Sequence, residues 1–258
     1  MKTVMVLTIV QWFCSFSYGF ILPLDIVLSK TVALSGNQIF SVEQDVIFNE
    51  AGEDFIVREN WLIEGDKNLK LTAVGQGSLK DLLKLTFVYN SKHKTSLIGK
   101  TKTSETVSSD FFERYLSVRS ADSFKKHLND LSISPLVRLS RVAGAVAFAI
   151  GEPSSATQLK PQLWIDQETF QIRKMRLPST AEVSLDDYQI FKQTNYPMSK
   201  KINWSGHSIL IKVRQVSTKT GASLASFYPQ NLDQPSEINL STKGDIGLFI
   251  QEFYKRFR

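Results

Sequence analysis

Apolar and polar residues alternate with a period of two over most of this chain. In Phe40-Ser41-Val42-Glu43-Gln44-Asp45-Val46-Ile47-Phe48, the set Phe40, Val42, Val46 and Phe48 falls on one face, and Ser41, Glu43 and Asp45 fall on the other. Asn49-Glu50-Ala51-Gly52 supplies a turn, after which Phe55, Val57, Trp61 and Ile63 share a face opposite Arg58 and Asn60. Gly65-Asp66-Lys67-Asn68 turns the chain again, and Leu69 and Leu71 continue it. Leu83, Leu85, Phe87 and Tyr89 line the next run, whose partner is expected near 95–100, and further strands are predicted at 136–139 and 144–150. From 163 to 217 the runs follow closely: Leu163–Asp166, Phe170–Leu177, Val183–Phe191, and Tyr196–Trp204 turned by Gly206-His207 into Ile209–Val213. This period, with one apolar face, predicts half-buried strands. Turns this short join only antiparallel neighbours.

Elsewhere the period lengthens. Leu24, Val27, Leu28 and Val32 form a stripe between Pro23 and Gly36, a start and a stop suited to a short helix. Phe111, Phe112, Tyr115, Leu116 and Val118 predict a second helix begun by Ser109. Ser120-Ala121-Asp122 reads as another N-terminus, leading to Phe124, Leu128 and Leu131. Ile246, Phe249, Ile250, Phe253, Tyr254 and Phe257 give a strongly amphipathic C-terminal helix, with Lys255, Arg256 and Arg258 where cations suit its dipole. The class implied is mainly β (α+β), with helices covering the sheet's apolar face.

Composition is that of an ordinary globule, with 42% hydrophobic and 22% charged residues among 258. No Gly/Ser/Pro-rich linker divides it, so residues 20–217 are expected as one domain and 218–258 as an extension carrying the amphipathic helix. Residues 1–19 have the form of a secretory signal peptide: Lys2, an apolar stretch from Thr3 to Phe16, then Ser17-Tyr18-Gly19. The single cysteine, Cys14, lies within it, so a mature chain would have no disulfide, thiolate nucleophile or zinc–thiolate site. Lys2 is the only charge there, so cleavage lowers the net charge from +6 to +5. A modestly basic surface favours anionic lipid head groups weakly. There is no helix-turn-helix, zinc finger or basic aromatic stripe, and nucleic acid is not an expected partner.

Signals for catalysis are poor. No H-E-x-x-H, G-x-S-x-G, P-loop or G-x-G-x-x-G occurs, and neither enzyme activity nor a cofactor is expected. His93, His127 and His207 are isolated and read as solvated loop residues, and Asp186 and Asp187 would point to opposite faces of a strand. A hydrolase built from scattered Ser, His and Asp is the remote competitor. The aromatic inventory is the stronger feature. It fits either a filled core or a curved sheet closed imperfectly over a cavity that takes a hydrophobic ligand.

Three segments carry a family resemblance: Leu163-Trp164-Ile165-Asp166-Gln167-Glu168-Thr169-Phe170, then Asp187-Tyr188, then Tyr196-Pro197-Met198-Ser199-Lys200-Lys201-Ile202 before a final strand at 209–216. Over roughly residues 37–217 the chain resembles the outer-membrane lipoprotein-sorting proteins of the LolA/RseB-like superfamily. The resemblance implies an incomplete antiparallel β-barrel with helices as a lid, in the periplasm of a Gram-negative bacterium. It also implies a non-catalytic carrier of lipid or lipoprotein acyl chains, served by an inner- or outer-membrane protein partner. Relatives on this fold act as envelope sensors or protein-interaction modules, which is the alternative. The carrier's Arg-Pro-x-x-Phe-Arg-Trp segment is absent, and the helix at 246–257 has no assigned counterpart. Candidate cavity-lining residues are Phe40, Phe55, Trp61, Phe87, Phe111 and Trp164.

Overall fold

The computed structural model describes residues 21–219 and 221–258; the signal peptide expected at 1–19, with Cys14, lies outside the described residues. Helix α1 (Leu24–Val32) follows Pro23, which caps it, and a short 3-10 turn at Ala33–Ser35 leads to Gly36. Gly36 has φ +64°, and a Cβ there would lie 2.6 Å from Thr194 Oγ1. Six strands come next: β1 (Phe40–Glu50), β2 (Glu53–Ile63), β3 (Asn68–Gly75), β4 (Leu83–Asn90), β5 (His93–Ile98) and β6 (Thr101–Thr106). Helix α2 (Ala121–Asp130) starts at Ser120, whose Oγ accepts from the Ser123 N–H at 3.1 Å. A second set follows: β7 (Val137–Val142), β8 (Ala145–Ile150), β9 (Gln162–Asp166), β10 (Ile172–Arg176), β11 (Glu182–Phe191), β12 (Thr194–Trp204) and β13 (His207–Thr218). The two-residue β14 (Glu237–Ile238) and helix α3 (Gly244–Phe257) complete the described elements. Among the described residues no helix is long and apolar enough to cross a membrane.

Across the sheet the order is β6-β5-β4-β3-β2-β1-β13-β12-β11-β10-β9-β8-β7, with β14 beside the start of β4. Neighbouring strands are antiparallel. Two meanders are thus fused where β1 pairs with β13. The sheet does not close, and β6 and β7 remain its two edges. The β6 edge reads Thr-Lys-Thr-Ser-Glu-Thr and is exposed throughout, a composition that discourages another strand from adding. Pro197 lies where β12 pairs only with β11, so its missing N–H breaks no ladder on the β13 side.

Two bulges keep the apolar side facing inward. On β13, Ile209, Ile211 and Val213 are two apart, but Val216 is three beyond. The register shifts opposite Glu43/Gln44, absorbing Arg214 as the extra residue, so Val213 and Val216 both face in. On β10 the same shift absorbs Arg173 between Ile172 and Met175. Each extra arginine bonds an aspartate on the neighbouring strand: Arg214 Nη1 to Asp45 at 2.9 Å and Arg173 Nε to Asp166 at 3.1 Å.

The inner face carries one continuous core drawn from both meanders and all three helices. One expectation needs correction here. Residues 110–118 are not an amphipathic helix: only a 3-10 turn forms, at Glu113–Ser117, and every residue from Asp110 to Val118 is buried. With three residues per turn, successive side chains point to three different walls, which suits a segment with no solvent face. The C-terminal helix is amphipathic as expected and lays its apolar stripe on the core, with Ile246, Ile250, Phe253, Tyr254 and Phe257 buried. Gly247 permits this approach, since a Cβ there would meet the Leu240 carbonyl oxygen at 2.3 Å.

Candidate functional site

Alternation sends some polar side chains inward. Gln44 is in phase with Val42 and Val46, Glu59 with Val57 and Trp61, and Lys200 with Tyr196 and Ile202; all three are fully buried. They meet Glu113 from the 3-10 turn and Arg258 from the end of α3, both equally buried. Lys200 Nζ donates to both Glu113 oxygens and to Gln44 Oε1, each at 2.9 Å. Gln44 Nε2 donates to Glu59 at 2.6 Å, and Trp61 Nε1 donates to the same oxygen at 3.1 Å. Arg258 Nε donates to the other Glu59 oxygen at 2.8 Å. Tyr196 Oη donates to Glu113 at 3.1 Å. Two carboxylates thus face two cations in a sealed interior.

Burial works against charge at each member, and the pairing decides the balance. Burial pushes the Glu113 carboxyl up, but Lys200 and Arg258 outweigh it and hold the group below its usual range. Burial also opposes the Arg258 charge, and Glu59 and Glu113 more than offset this, so its pKa is raised. For Lys200 burial dominates and lowers the ammonium pKa. Buried pairs of this kind add little net stability while intact, but losing one partner is costly. All five members of the cluster are fully buried, which suits it to fixing the interior.

Aromatic rings fill the space around it. Trp61 stacks on Tyr89 at 5.8 Å and on Phe111 at 5.9 Å, and Tyr89 lies 4.4 Å from Phe111. The Arg258 guanidinium sits 5.5 Å from the Trp61 ring, 5.3 Å from Phe112 and 5.0 Å from Phe253. Beneath α2, a crevice bounded by Tyr115, Phe124, Leu128 and Met175 keeps about 10 Å³, no more than one water needs. Around Trp61 the interior is packed ring against ring.

The six candidate residues therefore part company. Phe40, Trp61 and Phe111 lie deep in the core. Phe55 is buried with the Lys243 ammonium 6.0 Å from its ring. Trp164 is on the outer face, in a small cluster with Ala147 and Ala149, under Lys174 and Arg176. A continuous Leu163-Trp164-Ile165 run hides which side its middle residue takes. Phe87 alone of the six lines an open groove, of about 320 Å³, between β4, β5 and α3. Leu85 and Tyr254 join Phe87 in its lining, and Ile98 and Ile238, 58% and 45% exposed, stand at its rim. Lys94 and Lys255 line it as well. Lys94 Nζ donates to the main-chain oxygen of Arg258 at 2.8 Å, pairs with Glu105 at 2.8 Å, and lies 4.7 Å from the centre of the Phe87 ring.

A second polar group ties α2 to the sheet. Asp66, in the turn between β2 and β3, accepts from Ser123 Oγ at 2.7 Å and bonds His127 Nε2 at 2.8 Å. Burial pushes the Asp66 carboxyl up, yet its bonds to His127 and Ser123 prevail and lower its pKa. His127 is buried against Tyr115, which corrects its reading as a solvated loop residue. Its helical phase with Phe124 and Leu128 was the signal. Among the described residues no group of three metal-ligating side chains comes together.

No protein-family model matches the sequence, and no curated protein is similar to it. Solved structures are similar in shape. A LolA superfamily protein from Nitrosomonas europaea matches over 80% of this chain and 98% of its own, with a TM-score of 0.57 and 12% identity. A domain described as an outer membrane lipoprotein-sorting protein, from Vibrio parahaemolyticus, matches over 82% and 98%, with a TM-score of 0.55 and 13% identity. The fold is LolA-like. A DUF1329 family protein from Desulfovibrio piger shares it too, with a TM-score of 0.53 and 13% identity over 82% of this chain and 99% of its own. In this LolA-like sheet, α3 and the segment 110–118 occupy the inner face, and the open apolar groove sits beside α3 near the β6 edge.

Proposed function

We propose that this LolA-like protein holds the acyl chain of a lipid or lipoprotein, without covalent catalysis, in the groove between β4, β5 and α3. The observation that carries the reading is an open groove floored by the buried side chains of Leu85, Phe87 and Tyr254 and rimmed by the exposed Ile98 and Ile238. Of the six aromatic candidates, Phe87 is the one assigned to this site. Binding is by partition: at about 0.8 kcal/mol per methylene, roughly ten buried methylenes yield about 8 kcal/mol, from which the cost of association is subtracted. Export by the leader at 1–19, a periplasmic address and a membrane-protein partner that accepts the chain belong to the same proposal.

Delipidated protein titrated with a fluorescent fatty acid tests it. Ile98→Asp and Ile238→Asp are each expected to weaken binding at least about tenfold, with thermal stability nearly unchanged for Ile98, 58% exposed, and slightly lowered for Ile238, 45% exposed. Absence of binding by the native protein, or binding indifferent to both substitutions, rejects the proposal.

A further inference from the structure

We infer that the groove selects an anionic head group on a single alkyl chain, with Lys94 and Lys255 as the residues that recognise it. The inference rests on the acyl-chain reading above and adds the chemistry of the polar end. Lys94 is only 5% exposed and is pinned where the apolar lining meets the end of α3. Its ammonium has three N–H donors. The main-chain oxygen of Arg258 and the Glu105 carboxylate take two of them, and no third acceptor engages it among the described residues. The Glu105 side chain is 62% exposed, so it meets Lys94 from the solvent side and can yield its place to an incoming anion. Lys255, one turn beyond Gln251 on the groove-facing side of α3, has no acidic partner among the described residues. Lys255 thus stands without an acidic side-chain partner across an apolar trough from Lys94, whose partners are Glu105 and the Arg258 main-chain oxygen.

The arrangement matches an amphiphile lying with its tail along Leu85 and Phe87 and its charged end between the lysines. A carboxylate or a phosphate meets the same donors, since a lysine ammonium acts as a point charge for either. A neutral hydroxyl head group can accept a hydrogen bond from either ammonium but brings no charge to pair with it, and so gains less. Partial exposure keeps the electrostatic gain modest and sensitive to salt.

The test compares dodecanoate, dodecyl phosphate and dodecanol as competitors for a fluorescent fatty acid, in low salt, on the native full chain. Dodecanoate or dodecyl phosphate is expected to bind at least about tenfold more tightly than dodecanol, and whichever of the two is tighter identifies the source of the charge. Lys255→Met, a change at an exposed position of the groove, is expected to cut that preference at least threefold, with a smaller effect on dodecanol than on either anion. Lys94→Met adds to the loss; if it proves unstable, Lys255→Glu serves instead. Equal affinity of dodecanol and both anions for the native protein overturns the head-group inference and leaves the groove in place. Binding of none of the three overturns the groove itself.

Discussion

The guanidinium of Arg258 offers a sharp test of the buried ionic cluster. Replacing Arg258 by Met keeps an unbranched side chain near Trp61, Phe112 and Phe253 but removes a charge 2.8 Å from Glu59 and 3.6 Å from Glu113. Glu59 keeps its bonds from Gln44 and Trp61, so it is not stripped of donors. What it loses is the opposite charge, and the interior is left with two carboxylates and one ammonium. Breaking a buried pair by removing one partner costs about 3–5 kcal/mol. For a domain of this size each kcal/mol lowers the melting temperature by about 2–4 °C, so a drop of roughly 10 °C is expected. The double substitution Glu59→Gln with Arg258→Met removes both charges, and should recover at least about half of the loss. Urea unfolding at pH 7 measures the free energies, and circular dichroism against temperature gives the melting points. If Arg258→Met lies within about 1 kcal/mol of the native protein, or the double variant is no more stable than the single one, the pairing argument is wrong.

Other outcomes follow from the same geometry. Asp66 and Glu113 both have lowered folded-state pKa values, so their stabilisation is present above about pH 4, where an unfolded carboxylate ionises, and fades as pH falls through the folded values. The native protein should therefore lose stability on its acid limb. Asp66→Asn should cost about 1–3 kcal/mol at pH 7, with a gap that narrows towards pH 3 in urea titrations at each pH. Gly247→Ala should destabilise by about 1–3 kcal/mol in urea: better helix propensity offers at most about 1 kcal/mol, and the contact with the Leu240 carbonyl overrides it. Gly36→Ala, at positive φ and against Thr194, should lower the melting temperature, whereas Gly52→Ala at a roomy turn should do so only through its own backbone strain.

Much of the sheet was legible because alternation is a direct report of which side is wet. The runs around Phe40–Phe48, Phe55–Ile63 and Leu83–Tyr89 became β1, β2 and β4 with the expected residues inside. Strand β6 was not legible: Thr101–Thr106 is polar on both faces and exposed at an edge, so no contrast marks it. The interior cluster was present as an anomaly. Gln44, Glu59 and Lys200 occupy apolar phases, and a polar residue in such a phase must find partners or leave the strand. Which partners it finds depends on contacts such as Gln44 to Lys200, 156 residues apart, that no local pattern encodes. Arg258 misled for a related reason. A basic residue at a helix end normally complements the dipole in solvent, and here a buried carboxylate on β2 claims it. The groove was the least legible feature, since it gathers β4, β5, the 236–238 segment and α3 from distant parts of the chain.

The two free rims of the sheet are joined in sequence. The stretch 107–136 leaves β6, threads beneath and over the inner face, and re-enters at β7. It works as a strap buckled at both ends, with Asp66 as a catch near its middle, gripping Ser123 and His127. A strap fastened in this way cannot slacken at one rim without tugging on the other. Spreading of the sheet and lifting of α2 are therefore mechanically one motion, and whatever loosens the catch also loosens the curvature.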